Sequence, residues 1–503
     1  MSNSRTKNAM LNITTSILLQ AVIFLRGLIL PRIIIPIYGS DVNGLVASIT
    51  QFLTYISLLE AGVGSIFRAS LYKPLATKDM DSVSGIINEQ KKFYKKIGII
   101  FGFYVVGLLV VYPLIAKTNV SAPYIISLIL ILSVSTFMEY FVSLPYMSLL
   151  SADQKLRIGD TVNIIYVIVG FVVSLLWASI RADIRLIYLT MCAVGLLRPL
   201  FYALYVKKHY NLNKKAPADK TALKQRWNGM AHHFAYYIHK NTDVAILTIL
   251  VGTAFVSVYN IYGAIIFGIS SVISSVSTGA AAGFGNVIVS GNKEQIDKTL
   301  DVFELVQAGL TTVLYSITAL MLIPFIRIYT VNMVDVNYMQ PAFGYVLIAA
   351  EAIYCFRCIY STVSTNANKF KETQKGAILE CAVNLGVSLI LAVIFNLGLV
   401  GVAVGTALGA LTRYVFEVVF LSKNVICRSV GRAAKMLLVS VSTSALSISV
   451  CHLLLDYEGV ETVASWIIYA VISSAIVAVV AAVIYMAFYK KTIVSFIRRL
   501  KGR

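Results

Sequence analysis

The chain has 503 residues, 58% of them hydrophobic and 13% charged, with a mean hydropathy of +0.80. That composition excludes a soluble globular domain. The formal charge of +20 does not point to nucleic acid, because the basic residues lie in short connections beside apolar segments and not on a soluble face.

Fourteen apolar segments follow in chain order, at 10–32, 42–67, 96–116, 122–147, 161–180, 184–206, 229–251, 255–283, 303–328, 341–364, 377–396, 399–421, 436–455 and 463–489. Each supplies the roughly 20 apolar residues that cross about 30 Å of hydrocarbon, where only helices and closed barrels satisfy their own backbone. The expected fold is an all-α polytopic membrane protein. The first segment follows Arg5 and Lys7 as a signal peptide would, but it is too long, holds Arg26 and lacks a cleavage site, so it reads as an uncleaved helix. With the amino terminus inside, 33 of the 43 Lys and Arg fall in inner connections and tails, and only Arg32, Lys117, Arg181, Arg185 and Arg327 fall outside. The positive-inside rule then places both termini in the cytoplasm.

The longest outer connection is 329–340, and the longest inner ones are 68–95 and 207–228. None has room for a nucleotide-binding domain or a large external catalytic loop, and neither GxxxxGK[ST] nor HExxH occurs. An enzyme or an ATP-driven pump is therefore not expected. The six cysteines lie in or beside apolar spans, and the single CxxC of Cys355 and Cys358 is a poor metal signal inside a membrane helix. A secondary transporter, a channel or a flippase remains.

Residues 39–116 and 252–328 share a glycine at the mouth (Gly39, Gly252), a helix rich in Gly and Ser, a polar loop, and a helix closing on Pro113 or Pro324. Arg198 and Arg413 repeat at a similar offset of 215. The expected organisation is two parallel six-helix lobes, 1–212 and 213–428, followed by two further helices in 429–503.

Several runs carry a resemblance: Asn12-Ile-Thr-Thr-Ser16, Leu30-Pro-Arg32 through Tyr38-Gly39, Asn43-Gly44-Leu45, Leu59-Glu-Ala-Gly-Val-Gly64, His239-Lys-Asn-Thr-Asp243, and Asn396 through Gly405-Thr406. They resemble Wzx-type polysaccharide flippases of the multidrug/oligosaccharidyl-lipid/polysaccharide exporter superfamily. The resemblance covers most of the chain and is most specific over the first 75 residues. It implies two lobes in a V around a central cavity, in a bacterial cytoplasmic membrane. The implied cargo is an undecaprenyl-diphosphate-linked oligosaccharide, with membrane lipids, a polysaccharide polymerase and other assembly proteins as partners and no nucleic acid. A cation-coupled multidrug or small-solute antiporter is the alternative.

Ionisable residues inside spans bear on mechanism, because each costs about 2.5–3.5 kcal/mol at mid-bilayer. Arg413 and Glu417 stand four apart and are expected to pair; Arg198 and Arg357 lie near enough to the inner face to snorkel. In the seventh span His232, Tyr236, His239 and Asp243 share one face, with Lys240 beside them. A Lys240–Asp243 pair that only stabilises packing is one reading, and a cavity face the other. Arg26 reads either as an outer anchor or as a cavity residue whose fork suits a phosphate. With the cargo that the resemblance implies, Arg26, Lys240, Arg198 and His239 are the expected diphosphate and oligosaccharide contacts. Asp243, Glu60, Glu139 and Glu351 are candidates for coupling to a proton or sodium gradient or to the membrane potential, since an acid in low dielectric readily takes up a cation. Hydrogen bonding to a neighbouring helix is the plain alternative for each. Tyr236, Tyr237, Tyr259 and Tyr262 are candidate sugar-stacking rings. No cofactor or metal is expected.

Overall fold

The structure is a computed structural model describing residues 2–60, 63–213, 216–217, 237, 241–289, 293–367, 369–426 and 428–500. Every regular element among them is helical. Thirteen helices are long and apolar enough to cross a membrane, so the chain is a multi-pass membrane protein. Of the expected seventh span, Tyr237 and the residues from Asn241 onward are described, the latter as the shorter helix α10 (Asn241–Val251).

Contacts divide the chain into two compact units, one comprising 1–237 with 251–257 and the other 238–250 with 258–503. In unit 1, α1 (Ser2–Tyr38) packs on α7 (Leu156–Ser179), which in turn meets α8 (Ile184–Gly195). The Asn12–Ser16 run makes this junction. The Asn12 amide donates to Gln154 O at 3.0 Å and its oxygen accepts from Arg157 N at 2.9 Å, while Ser16 donates to Asp160 at 2.5 Å.

The second expected span is broken: α2 (Ser40–Thr54) passes through a tighter turn, Tyr55–Leu59, before α3 (Val63–Thr77). The inner connection 68–95 is also largely helical, because α4 (Met80–Ile115) begins where Asp79 accepts from Ser82 N at 3.0 Å. Two prolines explain two further breaks. Pro145 cannot donate to the carbonyl four residues back and its ring crowds it. The wide turn Glu139–Ser143 therefore separates α5 (Ala122–Met138) from α6 (Leu144–Ala152). In the same way Pro199 follows the break between α8 and α9 (Leu197–His209).

Gly39 and Gly252, the two mouth glycines, both adopt positive φ, 87° and 136°, which favours glycine over any larger residue. Gly252 precedes α11 (Thr253–Val289), whose first turn belongs to unit 1. There the Asn43 amide donates to Ser257 Oγ at 2.7 Å, and a Cβ at Gly44 would overlap Thr253 O.

Unit 2 is built from α12 (Lys293–Tyr329), α13 (Pro341–Asn366), α14 (Phe370–Leu389), α15 (Gly398–Asn424), α16 (Gly431–Leu454) and α17 (Val463–Leu500). α16 and α17 both pack on α12. α15 packs on α14 through Gly405 and Gly409, and on the wide turn Ile390–Ile394 that follows α14 through Gly401, a four-residue stripe of the kind that lets membrane helices approach closely. A Cβ at Gly409 would stand 2.9 Å from Asn384 Cβ, and one at Gly405 would overlap Ser388.

Candidate functional site: an acid centre in each unit

The glycine stripe decides what faces Asp243. By drawing α15 onto α14 it sets Thr406 beside Asn384, whose amide donates to Thr406 Oγ1 at 3.3 Å. Asp243, on α10, accepts from Thr406 Oγ1 at 3.0 Å and from the Tyr259 hydroxyl at 2.9 Å. All four side chains are buried. Glu351 of α13 is 1% exposed and within electrostatic reach of Tyr259. Unit 2 thus encloses two buried carboxyl groups within electrostatic reach of one tyrosine.

Two arginines inside spans of unit 2 are paired with carboxylates. Arg357 Nη1 donates to Glu380 at 3.1 Å, and Arg413 Nε to Glu417 at 2.6 Å, with Ser361 donating to the second Glu417 oxygen. The Arg413–Glu417 pair agrees with its four-residue spacing. Arg357 departs from expectation: it is buried against Glu380 rather than snorkelling.

Unit 1 holds a comparable group. Glu60, at the end of the tight turn after α2, accepts from the Tyr94 hydroxyl at 2.6 Å. Gly64 leaves room for this pair, since a Cβ there would stand 2.7 Å from Glu60 Oε1. Glu139 opens the wide turn before Pro145 and lies within electrostatic reach of Glu60 and Arg198. Gly98 permits the approach of that turn, because a Cβ would collide with the Phe141 ring. Arg198 Nη1 donates to Asn163 at 3.1 Å, and its guanidinium lies 4.1 Å from the Tyr166 ring centroid. Glu139 and Glu351 are 212 residues apart, within the 211–215 offsets of the internal repeat.

Arg26 lies midway along α1, which continues helically to Tyr38. It is half-buried, donates to Met191 Sδ at 3.8 Å, and has no carboxylate partner among the described residues. Lys240, His239, His232, His233 and Tyr236 lie outside the described residues. Tyr259 and Tyr262 are buried and hydrogen-bonded, to Asp243 and to the Tyr338 carbonyl. Tyr237 instead meets Thr54 and Tyr55 within unit 1. No metal-binding cluster occurs among the described residues.

Glu380, Asn384 and Thr406 were not among the sequence candidates. Their signal was present, since Glu380, Asn384 and Ser388 repeat every four residues just as the facing glycines do.

No family model and no curated protein matches the chain. Solved structures do. The lipid II flippase MurJ in an inward closed conformation aligns with a TM-score of 0.73 and 14% identity, over 96% of this chain and 100% of that one. An inward-facing multidrug-resistance MATE transporter of the MOP superfamily aligns at 0.60 and 14%, over 82% of this chain and 98% of that one. The MATE multidrug transporter DinF-BH aligns at 0.60 and 14%, over 82% and 95%. The fold is therefore that of the MOP-type transporters.

Proposed function

We propose that the chain is a flippase that carries an undecaprenyl-diphosphate-linked oligosaccharide repeat from the inner to the outer leaflet for surface polysaccharide synthesis, by alternating access. The observation that carries this reading is Arg26: a guanidinium halfway along a membrane helix with no carboxylate among the described residues to neutralise it. Such a charge is costly unless an anion visits it, and a diphosphate matches its fork. Lys240 and His239 complete the expected anion contacts. Whole-length likeness to a lipid flippase, including both carboxy-terminal helices in the coverage, supports the choice.

A cation-coupled exporter of drugs or small solutes is the second reading, favoured by the acid pairs in both units and by the multidrug neighbours. In either case Asp243 with Glu351, and Glu60 with Glu139, take up and release the coupling proton or sodium ion during the access cycle. A deletion strain separates the readings. The first expects loss of surface polysaccharide with the lipid-linked repeat accumulating in the inner leaflet; unchanged polysaccharide together with dye sensitivity would select the second.

A further inference from the structure

Unit 1 carries a groove of about 680 Å³ between α7 and α9, and unit 2 one of about 670 Å³ between α14 and α15. They are the same groove twice. Leu197, Phe201 and Tyr205 line the first, and Thr412, Phe416 and Phe420 the second, each at an offset of 215. In each the two rings stack one helical turn apart, with centroids 6.1 Å and 6.2 Å from one another. Gly376 makes room for the second wall, since a Cβ there would overlap the Phe416 ring.

Each aromatic wall ends, three residues on, at a lysine: Lys208 after Tyr205 and Lys423 after Phe420. Arg157 and Arg198 line the same groove in unit 1. In unit 2, Lys371 and Lys375 precede the lining Leu379 at four-residue spacing and so share its face. Among the described residues, no acid lines either groove. Leu197 and Val415 are strongly exposed, as lipid-facing residues are. The 11 helical steps from Leu197 to Lys208 rise about 16 Å, close to half of the ~30 Å hydrocarbon thickness. The basic mouth lies on the side that holds most of the Lys and Arg, where anionic headgroups attract such clusters.

We propose that these grooves are matched sites for anionic phospholipids of the inner leaflet, each seating an acyl chain along its aromatic wall and the phosphodiester at its basic mouth. The inference stands apart from the identity of the cargo. It predicts that the purified full chain retains phosphatidylglycerol at least fivefold over phosphatidylcholine when read by native mass spectrometry. Replacing Lys207, Lys208, Lys375 and Lys423 by Glu, all exposed residues, should lower retention about tenfold, while Lys490→Glu with Lys491→Glu should leave it unchanged. Leu197→Trp with Val415→Trp fills the troughs and keeps every lysine, and should lower retention as much. Equal retention of the two lipids, equal loss in the Lys490/Lys491 control, or full retention in the tryptophan variant would overturn the proposal. So would displacement by glycerol 3-phosphate, which has the head but no chain, or preferential retention of a polyprenyl phosphate.

Discussion

Buried charges here differ in the partners that hold them. Arg413 and Glu417 are 6% and 1% exposed, so removing one partner leaves a buried charge alone. Glu417→Gln should therefore destabilise the protein by about 3–5 kcal/mol. Arg413→Met combined with Glu417→Leu should cost far less, because both charges vanish together. Thermal unfolding of the purified protein compares the two. Asp243 accepts hydrogen bonds from Tyr259 and Thr406 on two other helices. Asp243→Asn should leave the fold intact and abolish the dependence of transport on an imposed ion gradient. Vesicle uptake with and without the gradient measures this, and an unaltered dependence would remove Asp243 from coupling.

Among elements, close helix crossings position the acids. Gly405 lets α15 reach α14, and a methyl there meets backbone as well as Ser388, with the Asn384 carbonyl at 2.8 Å. Gly405→Ala should cost about 1–3 kcal/mol and weaken the Asp243–Thr406 contact; unfolding midpoints across Gly386→Ala, which meets nothing within 4 Å, and Gly405→Ala show the contrast. The start of α4 is pH-sensitive in a defined direction. The Ser82 hydroxyl, then its amide, hold the exposed Asp79 carboxyl below its ordinary range. A lowered carboxyl stabilises fully above its unfolded value of about 3.9 and loses that contribution as pH falls through the native value. Protection of the Ser82 amide, corrected for intrinsic exchange, should persist at neutral pH and decline only in strong acid.

For the whole molecule, hydropathy made the all-helical membrane fold legible, because spans must be long, apolar and self-satisfied. Gly39 and Gly252, singled out by sequence, share a positive φ that favours glycine at both positions. Helix ends were not legible. Asp79 capping and the Arg428 pairing with Asp301 at 3.1 Å and Glu304 at 2.6 Å let α4 and α12 run well past their apolar cores. Hydropathy also missed breaks inside spans, where Pro145 and Pro199 gave the only cue. The candidate acids were visible as isolated charges, but their tyrosine and threonine partners come from other helices, so sequence spacing alone did not join them. Arg357 misled for the same reason: its partner Glu380 sits on the next helix.

The central claim is that this MOP-type fold moves a diphosphate-linked lipid past Arg26. Purified protein in vesicles carrying a labelled undecaprenyl-diphosphate oligosaccharide, probed with an external glycosidase, tests it most directly. The account predicts label exposure well above protein-free vesicles and at least a tenfold slower rate for Arg26→Gln, with the variant's unfolding midpoint unchanged. Exposure no faster than in protein-free vesicles, or an Arg26→Gln rate equal to the parent, would contradict it.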